Sequence, residues 1–160
     1  MILEIDGWKF DIDIERTMEY SAAEAKEHCD CAYCRNFYAA VDEKHPPLRP
    51  YLARFGIDIE APEEMCPFAG ENILYDPIYK VYGRILRLGR YEMQAGLINI
   101  VARASSDDGD CFYLDCYEVF LPWILDEPFE GVISPANEPS FLQRMWNRLL
   151  SKSKKSAIDS

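Results

Sequence analysis

Three cysteines crowd the run His28-Cys29-Asp30-Cys31-Ala32-Tyr33-Cys34-Arg35-Asn36-Phe37, with a histidine at its front edge. Zinc takes four ligands in a tetrahedron, thiolates by preference, with imidazole as the substitute. Cys31 and Cys34 have the spacing by which two thiolates chelate one ion from a turn into a helix, and Cys29 adds a third. His28 adjoins Cys29, so bringing both to one ion strains the backbone between them. His45 or Cys66 is the better fourth ligand. A structural zinc site built from Cys29, Cys31, Cys34 and one of His45 and Cys66 is the first expectation.

Two other chemistries use the same run. A C-x-x-C at a helix N-terminus lowers the pKa of its first thiol through the helix dipole and the exposed amides. Cys31 and Cys34 therefore also suit a thiol redox enzyme, although a hairpin before them and strands after them replace the βαβ setting of such enzymes. Free cysteines serve equally as small buried hydrophobes. Cys34 with His45 makes a nucleophile pair only arithmetically, with no local signature. Cys111 and Cys116, five apart on one strand, point to opposite faces and read as core residues. Ser106-Asp107-Asp108-Gly109-Asp110 shares residues with a calcium loop but lacks the alternating ligands and closing glutamate, so it reads as a hairpin turn. No glycine-rich phosphate loop and no G-x-S-x-G elbow is present. Of the ten tyrosines, Tyr79, Tyr82, Tyr91, Tyr113 and Tyr117 suit the lining of a pocket on the sheet, although aromatics in strands more commonly fill and edge the core.

The elements that must carry these residues are legible in order. Asp6-Gly7 is a tight-hairpin signal between Ile2–Ile5 and Trp8–Ile14, and Trp8, Phe10, Ile12 and Ile14 alternate with charged residues at the period of a half-buried strand. Glu19–Lys26 suits either a short helix or an extended lead. Cys34, Phe37, Tyr38 and Val41 share one helical stripe ending before His45-Pro46-Pro47. A second helix begins near Pro47, turns Leu48, Tyr51, Leu52 and Phe55 inward and stops at Gly56. Ala61-Pro62-Glu63-Glu64 reads as a further helical turn. Strands then follow over Ile78–Leu88, Leu97–Ala104 and Cys111–Leu121, with separations too short for helical crossovers. The fold class is α+β: an antiparallel sheet, made of the N-terminal hairpin and a C-terminal meander, with short helices packed on one side. Residues 1–125 form that single domain, 126–139 an irregular connector, and 140–160 a basic helix and tail.

Charge narrows the function. The net charge is −11, but residues 144–160 hold five of the 17 Lys and Arg and one of the 28 acids. The remaining body thus has 12 basic against 27 acidic groups, a net −15, which repels nucleic acid and favours solubility or basic partners. No run of 18 apolar residues is long enough to span a membrane, and no export signal opens the chain, which points to the cytoplasm and reduced thiols. In the tail, Phe141, Leu142, Met145, Trp146, Leu149 and Leu150 cover one half of a helix whose other half is polar and basic. Such a helix docks on its own body, on a second copy in a homodimer, in a partner's groove or on a membrane surface; at ten residues it needs packing to persist, which makes its own body the first choice and a membrane the unlikely one.

The run Cys-Asp-Cys-Ala-Tyr-Cys-Arg-Asn-Phe-Tyr, followed by Phe55-Gly-Ile-Asp58, Tyr82-Gly83 and Pro122-Trp-Ile-Leu125, resembles a family of uncharacterised bacterial proteins over residues 29–125. The resemblance implies a bacterial cytosolic origin and a single β-rich domain, and it carries no activity, ligand or cofactor. From the residues themselves, the expectation is a small non-enzymatic protein that binds another protein and has a metal-stapled cysteine segment.

Overall fold

Asp6 and Gly7 both take left-handed backbone, with φ of 50° and 83°, and so close the two-residue turn between β1 (Ile2–Ile5) and β2 (Trp8–Ile12). In the computed structural model of the chain, residues 1–68, 72–106 and 109–128 are described. Trp8, Phe10 and Ile12 are buried, while Asp11 and Asp13 are exposed, as the alternation requires. Ile14 departs from the strand expected through it. The Asp13 carboxylate accepts the Arg16 amide at 3.2 Å and turns the chain into α1 (Ile14–Glu24). An N-cap three residues before Arg16 outweighs one more step of alternation.

Two further helices follow, α2 (Ala32–Lys44) and α3 (Leu48–Ala53), the latter started by Pro47 and ended before Gly56 at φ 82°. Residues 64–68 form β3 (Glu64–Phe68), which corrects the helical turn read over Ala61–Glu64. Cross-strand pairing with residues 74–78 provides partners that a two-carboxylate helical turn lacks.

Everything is then hung on β4 (Ile73–Arg87), fifteen residues long. Ile73, Tyr75, Tyr79 and Val81 alternate inward from it and are almost fully buried. The later strands are β5 (Met93–Ala95), β6 (Ile98–Ala104), β7 (Cys111–Tyr117) and β8 (Val119–Leu121). The sheet is antiparallel with order β1-β2-β4-β7-β6-β5. Strand β4 therefore pairs with β7, and only β5-β6-β7 runs as a meander. Along the β7 side of β4, Asp115 faces Ile78 but Val119 faces Tyr75, so one residue is extra. Glu118, at φ 61°, is that bulge, and the Asp76 carboxylate accepts its amide at 3.0 Å. This bulge splits the strand expected over Cys111–Leu121 in two.

Core packing joins the layers. Phe10 of β2 lies edge-on to Phe55 at 5.4 Å and stacks on Phe112 of β7 at 5.2 Å between ring centroids. Phe37, Ala40 and Val41 of α2 and Leu48 and Leu52 of α3 complete the same core. Residues 1–129 make one compact unit. The helix expected over Phe141–Leu150, and all but the first residues of the Asp126–Pro139 connector, lie outside the described residues, as do Asp107 and Asp108 of the acidic turn.

Candidate metal centre

Cys31 is the N-cap of α2, in extended backbone at φ −70° and ψ 159°, so Cys29 precedes the helix and Cys34 follows one turn in. That arrangement turns three sulfurs onto one point: the Cys29, Cys31 and Cys34 sulfurs all lie within 4.8 Å of one another. Cys29 and Cys31 are exposed, and Cys34 is buried, so the group sits at the surface with one wall in the core. All six cysteines are free thiols.

Local electrostatics separate the three. The Cys31 amide donates to the Cys29 sulfur at 3.5 Å. Burial opposes ionisation of Cys31, but the Cys34 amide, the Cys29 and Cys34 thiols and the Tyr33 amide together outweigh it and hold its pKa below the usual thiol value. No side-chain hydrogen bond caps the helix, so the amides of its first turn act on that sulfur as oriented dipoles. Cys34 moves the other way. Burial pushes its thiol well above the usual range, and donation to Cys31 and Cys29 adds to the shift. Tyr38, one turn further along α2, is raised by burial first and then by its proximity to the cysteine group and Glu60.

What positions the run is a polar network behind it. Asn36 is fully buried in the stripe that carries Phe37, Ala40 and Val41. Its amide nitrogen donates to the Tyr75 hydroxyl at 3.2 Å and the Pro122 carbonyl at 3.0 Å, and its oxygen accepts the Ile124 amide at 2.8 Å. Tyr75 in turn donates to the Tyr33 carbonyl at 2.9 Å, inside the C-x-x-C segment itself. On the solvent side, Arg35 donates to the Asp30 carbonyl at 2.5 Å and pairs with the Glu127 carboxylate. The loop between Cys29 and Cys31 is thereby tied to the helix that follows it and to the segment after β8. Sequence reasoning passed over Asn36, Arg35, Tyr75 and Glu127. The signal for Asn36 was present, since it falls four residues before Ala40 on a stripe otherwise apolar.

The two proposed fourth ligands lie apart from this group. His45 caps the other end of α2, about 20 Å along the axis from Cys31 at 1.5 Å per residue, with its ring nitrogen 3.1 Å from the Phe120 carbonyl. Cys66 sits on β3, its sulfur 3.8 Å from a Glu64 carboxylate oxygen. His28 stays near the run but turns its ring onto Tyr38, with centroids 4.7 Å apart. Cys111 and Cys116 are buried in β7. No helix among the described residues is long and apolar enough to cross a membrane. Comparison with protein-family models, with curated proteins and with solved structures gives no match.

Proposed function

We propose that the chain is a small, non-enzymatic, cytoplasmic bacterial protein that works by binding another protein, with zinc on Cys29, Cys31 and Cys34 stapling the loop before α2 to that helix. The observation that carries the metal part is the convergence of three sulfurs within 4.8 Å at the start of α2. Thiolates on one tetrahedral zinc, with bonds of about 2.3 Å, lie about 3.8 Å apart, so closure asks for a shift of about 1 Å. A dithiol enzyme needs two sulfurs; the third is what favours an ion. The partner reading is supported by the acidic body and by Phe68, Leu74 and Phe120, which face one another across β3, β4 and β8 with both phenylalanines half exposed. Protein purified without chelator should contain near-stoichiometric zinc, and Cys31→Ser should lose both the metal and thermal stability. Metal-free protein with an unchanged melting temperature overturns this function.

One observation favours thiol redox chemistry as a second reading. Cys31 is exposed at the helix start and Cys34 is buried behind it, the arrangement of an attacking and a resolving thiol. That reading requires reversible formation of a Cys31–Cys34 disulfide in redox buffer, unaffected by Cys29→Ser.

A further inference from the structure

We infer that the Cys29, Cys31 and Cys34 site takes a trivalent thiophilic ion that bears a lone pair, arsenite or antimonite, with these three sulfurs as its entire ligand set. The inference rests on the trio being the ion site proposed above and adds a class of ion that three sulfurs satisfy without a fourth ligand.

The chain has six cysteines and two histidines, and all eight lie among the described residues. Among the described residues, the other five stand outside the group of converging donors: His45 at the far end of α2, Cys66 beside Glu64, Cys111 and Cys116 inside β7, and His28 with its ring on Tyr38. Three donors remain together. Zinc bound there keeps a fourth position open toward water, because two of its sulfurs are exposed. A trivalent ion of arsenic or antimony forms three bonds in a pyramid, and its lone pair stands where the fourth ligand would be. Soft thiolates are the donors such ions select.

Charge favours the same class. Three thiolates on a divalent ion leave one negative charge on a site with Cys34 as its buried wall, and that charge adds to an already acidic body. Arg35, next to Cys34 in sequence, is already engaged by Asp30 and Glu127. Three sulfurs on a trivalent centre are neutral. Arsenous acid also arrives uncharged near neutral pH, so the acidic body does not repel it. The exchange balances without redox change: As(OH)3 and three thiols give As(S-Cys)3 and three water molecules. Three As–O bonds are replaced by three As–S bonds, each thiol proton leaves with a hydroxyl, and arsenic stays in the +3 state.

The test titrates the reduced full-length protein with sodium arsenite, and in parallel with zinc sulfate, followed by native mass spectrometry and sulfur-to-arsenic absorbance in the near ultraviolet. The expected result is one arsenic per chain with loss of three thiol protons. Cys29→Ser and Cys31→Ser, both at exposed positions and so kept foldable, should each weaken arsenite binding about a hundredfold or more through loss of chelation. Cys66→Ser should leave it unchanged. Capture with loss of two protons, untouched by Cys29→Ser, overturns the three-sulfur site in favour of a dithiol. Tight zinc binding without arsenite binding overturns this inference and keeps the ion site. Binding of neither ion overturns both.

Discussion

Asn36 carries more structure per atom than any other polar residue near the cysteines. It is fully buried and satisfies the Pro122 carbonyl and the Ile124 amide, which would otherwise be left without those partners. Stranding buried backbone groups is the expensive half of losing a hydrogen bond. Asn36→Ala should therefore cost about 2–4 kcal/mol in urea denaturation, and should loosen the run around Tyr33 and Cys34. Tyr75, bonded to Asn36 and to the Tyr33 carbonyl, has a pKa pushed up to about 12, by burial first and against the Asn36 hydrogen bond. The sign follows from the direction of that shift. A phenol harder to ionise in the fold contributes its full stability below its unfolded pKa near 10, and loses it as pH climbs through the folded value. The stability advantage of the native protein over Tyr75→Phe, measured by urea midpoints, should be constant up to about pH 9.5 and shrink between about pH 10 and 12.

Among the elements, the β2–β4 pairing leaves no room for a side chain at Gly83. Gly83 has φ 142°, and a Cβ there would stand 2.2 Å from the Asp11 carbonyl and 2.9 Å from the Ile12 Cα. Both obstacles are backbone, so nothing flexible can yield. Gly83→Ala should force β2 off β4 and lower stability by about 2–4 kcal/mol. Gly109 is the contrast, with nothing among the described residues within 4 Å of an added Cβ. Gly109→Ala should change stability by no more than a surface substitution does, about 0.5 kcal/mol. Equal effects at the two positions would refute the close approach. The same strand pair also places α1, since the Thr17 hydroxyl donates to the Asp13 carbonyl at 2.8 Å and accepts the Tyr82 amide at 3.1 Å.

For the whole molecule, stability is concentrated where the hairpin, the helices and the long strand meet. Phe10 touches Phe55 and Phe112, two rings brought from distant parts of the chain, and none of its surface is exposed. Phe10→Ala should cost about 3–5 kcal/mol. Asp11, next in sequence, is exposed and meets only the N-terminal amine at 3.4 Å, so Asp11→Ala should stay within about 0.5 kcal/mol. Denaturant midpoints of the two variants measure the difference. The cysteine site hangs on the same core through Phe37 and Tyr75, whose rings lie 5.3 Å apart. Variants that weaken the core should consequently weaken ion binding as well, whereas Cys31→Ser should spare the core.

Local pattern was sufficient for features whose causes are local. The Asp6-Gly7 turn, the inward set Trp8, Phe10 and Ile12, the stripe of α2 and the start of α3 at Pro47 all follow from backbone preference and periodicity within a few residues. The α+β class and the gathering of Cys29, Cys31 and Cys34 belong there too, because a cap position and one helical turn bring those sulfurs together without help from the rest of the chain. Tertiary structure decided what depends on partners far away in sequence. Residues 64–68 became a strand because β4 supplied an edge, and β4 chose β7 over β6 as its neighbour. Cys66 and His45 were placed by those pairings and by the length of α2, which no spacing rule for ligands contains. Asn36 was a polar residue on an apolar stripe until Pro122 and Ile124, more than 80 positions on, arrived with the backbone groups it satisfies.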